Sequence, residues 1–218
     1  MLYYIGLSIL SNVNKKLLSA EARRILSLLE GGAREIATDG HGRPFFPGSE
    51  VDFNISHCKS IAAVSLVRGK DLRTGCDVEL IRPRSRIGEI SEIYFSMTER
   101  DYIFSQDKFS EERFYKIWTL KECYLKLNGL SVFDMASCPS FISDEGQISF
   151  CAAVSRPLSF RLYELTGTGG ERYILASVID GEHIYPEIRW FSQLSLACKM
   201  TAEINAAPSP ADTVRPKI

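Results

Sequence analysis

The stretch Gly75-Cys76-Asp77-Val78-Glu79-Leu80-Ile81 constrains the fold more than any other part of the 218-residue chain. It reads as a strand, and side chains two apart on a strand point the same way. Asp77 and Glu79 therefore share a face, with Val78 turned to the other. Two like charges on one face repel, and burying both with no cation nearby is unfavourable. Either that face looks onto water, as most charged pairs do, or something positive meets it.

Positive charge is available further along. Trp118-Thr119-Leu120-Lys121-Glu122-Cys123-Tyr124-Leu125-Lys126 has helical spacing, which stacks Trp118, Glu122 and Lys126 into one stripe and sets Lys121 beside Glu122. Asp77, Glu79 and Glu122, with Lys121 and Lys126 near them, suit a hard divalent cation and a phosphorylated substrate. Magnesium takes oxygen ligands, keeps several waters and often completes its shell with substrate phosphates. Plainer readings exist. Glu122 and Lys126 can be a routine i, i+4 pair worth roughly 0.2–0.5 kcal/mol, and Trp118 can be core.

Patterning along the rest of the chain predicts an α+β protein. Leu2–Leu10, Val51–Ser56, Ile61–Val67 and Arg73–Ile81 read as strands, and a helix capped by Ser19 runs from Ala20 to Glu30, where Gly31-Gly32 stops it. Ser96-Met97-Thr98-Glu99 is a capping box opening a helix to about Gln106. Ser110 caps a longer helix, Glu111 to Asn128, that leaves through Gly129. A hairpin follows over Phe141–Ile148, then an antiparallel pair, Phe160–Leu165 with Arg172–Ile179, and an edge strand at Ile184–Ile188. The order β-α-β-β, then β-α-α-β-β-β, predicts a pseudo-twofold pair of similar subdomains, each a small antiparallel sheet packed with helix. The boundaries expected are an N-terminal subdomain at 1–74, a C-terminal one carrying the metal site at 75–199, and a flexible tail at 200–218.

Composition excludes more than it selects. A formal net charge of −1 gives no global attraction to nucleic acid or anionic membrane, and no apolar run approaches a membrane span. The start lacks a signal-peptide pattern. Six scattered cysteines without a C-x-x-C pair predict reduced thiols in a cytoplasmic chain rather than disulfides or a zinc site. Gly167-Thr168-Gly169-Gly170 lacks the Lys-Ser/Thr of a phosphate loop and reads as a turn. Asn54-Ile55-Ser56-His57, with Lys59 after it, offers donors to a phosphate, as does Arg43 in the constrained Gly42-Arg43-Pro44 loop. A structural histidine and a surface arginine remain the alternatives.

The order and spacing of these pieces are distinctive. Gly42-Arg43-Pro44, Phe53-Asn54-Ile55-Ser56-His57, Gly75-x-Asp77-x-Glu79, Phe95-Ser96-x-x-Glu99 and Trp118-x-x-Lys121-Glu122-x-x-x-Lys126 together resemble the 4′-phosphopantetheinyl transferases, of the larger, monomeric, surfactin-synthetase-activating (Sfp-like) class. The likeness runs from about His41 to Ser149. It implies transfer of phosphopantetheine from coenzyme A to a serine of an apo acyl or peptidyl carrier protein, with release of adenosine 3′,5′-bisphosphate. It implies Mg2+ held by Asp77, Glu79 and Glu122, with Glu122 taking the serine proton and Lys121 and Lys126 meeting diphosphate charge. Arg43, Ser56 and His57 would contact the 3′-phosphate end of coenzyme A. A weakly active homologue that only binds carrier proteins, and another magnesium-dependent phosphate-ester enzyme, are the alternatives.

Overall fold

The computed structural model describes residues 2–11, 13–144, 147–151, 156–167, 169–181, 185–191 and 197–206. β1 (Leu2–Ile9) is buried almost throughout because it has a layer on each face. Tyr4 packs with helix α1 (Lys15–Glu30), while Ile5, Leu7 and Ile9 join the core between the sheets. The helix begins at Lys15 rather than Ala20, since Asn14 and not Ser19 caps it, its side chain accepting the Leu17 N–H. It ends at Gly31, whose φ of 86° favours a residue without Cβ.

The short strands β2 (Ala37–Thr38) and β3 (Pro44–Phe45) bracket the loop that carries Arg43. Then come β4 (Val51–Cys58), β5 (Ile61–Arg68) and β6 (Thr74–Leu80). Helices α2 (Ile87–Tyr94), α3 (Met97–Phe104) and α4 (Ser110–Asn128) follow. The capping box of Ser96 and Glu99 is present on α3. Sequence patterning predicts only two helices here and misses α2, whose N-cap residue, Arg86, makes no side-chain capping bond. The chain continues with β7 (Ser140–Asp144), β8 (Gln147–Cys151), β9 (Leu158–Thr166), β10 (Arg172–Asp180), β11 (Glu187–Trp190) and β12 (Ala197–Ala206).

Two four-stranded sheets result, in the orders β11-β1-β5-β4 and β12-β9-β10-β6. Within each, a strand, a helix and two further strands recur, the third strand pairing between the first and second: β1-β5-β4 beside α1, β6-β10-β9 beside α4. The architecture is α+β, with the expected duplication visible in strand order. β11 pairs in parallel with β1, so residues 187–190 return to the first sheet and cover an edge that would otherwise present unpaired backbone groups. β12 adds an edge to β9, so the stretch read as tail from 200 begins as strand; 207–218 lie outside the described residues.

The edge strands β4 and β6 face one another across the two sheets. Instead of a continuous backbone ladder, side chains of β4 accept the N–H groups of β6. Asp52 Oδ2 takes the Thr74 N–H at 2.7 Å, Asn54 Oδ1 that of Cys76 at 3.2 Å and Ser56 Oγ that of Val78 at 3.3 Å.

On the other side of β6, α4 lies so close that a Cβ on Gly75 would stand 2.4 Å from the Cys123 carbonyl and 3.0 Å from the Leu127 nitrogen. Backbone on both sides cannot yield as a flexible side chain can. Gly75→Ala should therefore destabilise the protein by about 1–3 kcal/mol in urea denaturation; an unchanged midpoint and slope would show that α4 does not depend on this approach.

Candidate active site

The site lies where the C-terminal half of α4 crosses β6. The face of the second sheet bearing Ile174 and Ala176 packs into the α4 core, and these two pair in register with Glu79 and Asp77. Val78 turns the opposite way, into the core between the sheets. Lys126 Nζ donates to Asp77 Oδ1 at 2.6 Å and to Ser56 Oγ at 3.1 Å, and Ser56 Oγ donates to Asp77 Oδ1 at 2.8 Å. Asp77 Oδ2 is buried without a hydrogen-bond partner among the described residues, an uncommon state for a carboxylate oxygen.

Burial pushes Glu79 up to about 7, and the neighbouring Asp77 charge adds to the rise. Burial raises Glu122 as well, with Asp77 again the next cause. For Lys126 burial acts downward but is outweighed by Asp77, Cys76 and Glu122 together, so the ammonium is held above its usual range. Cys58 Sγ lies 3.6 Å from Glu79 Oε2, and burial together with Glu79 pushes the thiol up to about 11, which keeps it neutral.

Among the described residues no three His, Cys, Asp or Glu side chains form a ready-made cage for an ion. The donor set nevertheless fits a hard cation: it is all oxygen, it includes the orphaned Asp77 Oδ2, and burial and the Asp77 charge disfavour its ionised glutamates while no ion is bound. Magnesium in particular is commonly held by one or two carboxylates, with water and substrate oxygens in the other positions. A cavity of about 220 Å³ opens next to Lys126, lined also by His41, Gly42, Arg43, Pro44, Asn54 and Leu130.

A family model described as the 4′-phosphopantetheinyl transferase superfamily matches residues 73–178, which contain β6, α4 and the carboxylates. The 4′-phosphopantetheinyl transferase AcpT of Escherichia coli O157:H7 is 30% identical over 150 residues, covering 64% of this chain and 75% of the relative. The chain belongs to the 4′-phosphopantetheinyl transferase superfamily. It is a transferase. The 4′-phosphopantetheinyl transferase pptA of Paxillus involutus is 26% identical over 209 residues, 84% of this chain and 78% of the relative. The psf-1 transferase of Bacillus pumilus is 30% identical over 115 residues, 50% and 46% of the two chains.

The transferase does not gather every residue singled out from its sequence. Asp77, Ser56 and Lys126 meet directly, and Glu79 and Glu122 lie close enough for the Asp77 charge to perturb them. Lys121 does not join them. Consecutive helix residues diverge by about 100°, which turns Lys121 inward to a buried ion pair with Glu99 at 3.0 Å, beside the carbonyls of Tyr94 and Met135. Arg43 is buried and its guanidinium donates to Asp52, Phe53, Thr74 and Lys126, so it is not an open phosphate ligand. His57 is half-buried and, by strand alternation, on the face of β4 opposite Ser56. Trp118 stacks on Phe114 at 5.7 Å, and Arg84 lies over both rings.

Asp52, Asn54 and Gly75 carry structural duties that sequence reasoning missed. The available signal was the alternation of Asp52, Asn54, Ser56 and Cys58, a polar face that suggests water but is buried against β6.

The raised Glu79 has a measurable consequence in chelator, with no divalent cation present. A carboxyl whose folded value is above its unfolded one is protonated preferentially in the native state, so its contribution is present at low pH and lost as pH rises. Thermal stability of the wild type should fall between about pH 4.5 and 7 relative to Glu79→Gln. Parallel pH profiles would show that Glu79 is not held in a charge-poor site.

Proposed function

We propose that this transferase moves 4′-phosphopantetheine from coenzyme A to a serine of an apo acyl or peptidyl carrier protein and releases adenosine 3′,5′-bisphosphate. The observation that carries the reading is the Lys126–Asp77–Ser56 cluster, flanked by two glutamates raised by burial, in a chain of this superfamily. Asp77, Glu79 and Glu122 are the residues to hold a magnesium ion, which when bound would offset diphosphate charge. Manganese shares this oxygen chemistry and is an alternative.

The chain's own groups supply the remainder. The carrier serine attacks the phosphorus bearing the pantetheine arm, its Oγ–P bond forms, and the P–O bond to the nucleotide phosphate breaks. Glu122, raised toward the working range of a base, accepts the serine proton. Lys126 stays protonated and stabilises the charge that builds on the departing nucleotide phosphate. Ser56 orients Lys126 beside the diphosphate, and His57 near the end of β4 is assigned to the 3′-phosphate.

The repeat of two sheets within one chain supports the larger monomeric Sfp-like class. No helix among the described residues is long and apolar enough to cross a membrane.

Incubation with coenzyme A, magnesium and an apo carrier domain, read by intact-protein mass spectrometry, tests the reading. The carrier should gain the mass of phosphopantetheine. Asp77→Asn and Glu122→Gln should each slow transfer by roughly 100-fold or more while the fold persists. An unmodified carrier that co-elutes would indicate a binding module, and coenzyme A cleaved without carrier another phosphate-ester activity. Full transfer by either variant would remove the metal and base assignments.

A further inference from the structure

The last turn of an α-helix leaves its carbonyls without intrahelical donors. In α4 that turn carries Lys126, and its carbonyl, which takes the Gly129 N–H only at 3.4 Å, is met by Nη1 of Arg43, 83 residues earlier in the chain. Nη2 of the same guanidinium donates to Asp52 Oδ2 at 2.6 Å, to the Thr74 carbonyl at 2.9 Å and to the Phe53 carbonyl at 3.3 Å. Asp52 Oδ2 also takes the Thr74 N–H. One buried side chain thus ties the end of α4 to β4 and to the first residue of β6, three positions before Asp77. Its own loop is braced for the task, because Asp39 Oδ1 accepts the N–H groups of both His41 and Arg43 at 2.9 Å.

We infer that Arg43 is a positioning residue that seats the last turn of α4 on the seam between the sheets and so fixes Lys126 against Asp77. Lys126 is held at two points: its carbonyl by Arg43 and its ammonium by Asp77 and Ser56. Without the first, the ammonium still carries its charge, but the backbone from which it projects is no longer fixed relative to β6. A displacement of about 1 Å can lower turnover by roughly 100-fold. Arg43→Lys keeps the charge opposite Asp52 but lacks the planar fork that reaches acceptors on three elements. The inference rests on the catalytic part given to Lys126 above, and it replaces the phosphate contact that the sequence suggests for Arg43.

The test compares wild type, Arg43→Lys, Lys126→Ala and the double variant, each as the full chain, with coenzyme A and with 3′-dephospho-coenzyme A as donor to an apo carrier domain. Arg43→Lys should lower kcat by roughly 10- to 100-fold, by the same factor with both donors and with little change in KM. The double variant should be no slower than Lys126→Ala, since both changes remove one arrangement. Should Arg43→Lys fail to fold, Asp52→Asn carries the test: it keeps an acceptor for Thr74, loosens the same guanidinium, and should give the same equal loss.

A loss confined to coenzyme A would overturn the inference in favour of a 3′-phosphate contact. Multiplying losses in the double variant would overturn it in favour of an independent role. Full turnover by Arg43→Lys beside an inactive Lys126→Ala would sink the inference alone. Full turnover by Lys126→Ala would sink it together with the role given to Lys126.

Discussion

Everything in this protein depends on how two sheet edges are joined. β4 and β6 each end a sheet, and an exposed edge is a row of unsatisfied backbone groups. Direct pairing would fuse the sheets into one. Instead Asp52, Asn54 and Ser56 insert their side chains and accept the N–H groups of Thr74, Cys76 and Val78. This spacing satisfies the edge of β6, keeps the halves distinct and fixes their register. Ser56, the third of these acceptors, also donates to Asp77. The contact that aligns the sheets is therefore part of the Lys126–Asp77–Ser56 cluster.

The second constraint is the distance of α4 from β6. Gly75 lets helix backbone rest on strand backbone, and the Cys123 thiol donates to the Gly75 carbonyl at 3.2 Å. From there Lys126, one turn after Glu122, reaches Asp77. The helix is anchored elsewhere too. Lys121 pairs with Glu99, which also caps α3 and accepts the Phe141 N–H, so three segments are fixed behind the site. A buried pair of this kind is weak support for stability, but removing one partner leaves a charge stranded. What faces the site is the opposite imbalance: three carboxylates with one ammonium, Lys126, bonded to Asp77, and the glutamates raised first by burial and then by the Asp77 charge.

The α+β class, most strands, the capping box on α3 and the stop of α4 at Gly129 were all readable because they follow local rules: alternation, a cap, a left-handed exit. The faces from which Asp77 and Lys126 meet were readable from strand and helix periodicity. Arg43 and Lys121 were not. Type and spacing made both look like phosphate ligands, whereas partners 83 and 22 residues away in sequence claim them. Nothing local announces such partners. The same holds for β11, whose pairing with β1 joins opposite ends of the chain, and for α2, which has no capping side chain to announce it.

The central claim is that β6 and α4 together hold a divalent cation against the diphosphate of coenzyme A. Crystals grown with coenzyme A and Mn2+ test it directly through anomalous scattering. The expected result is a peak in contact with Asp77 and at least one of Glu79 and Glu122, with diphosphate oxygens on its open side. Coenzyme A bound with the metal elsewhere, or with Lys126 still on Asp77 and no metal beside it, would contradict the claim.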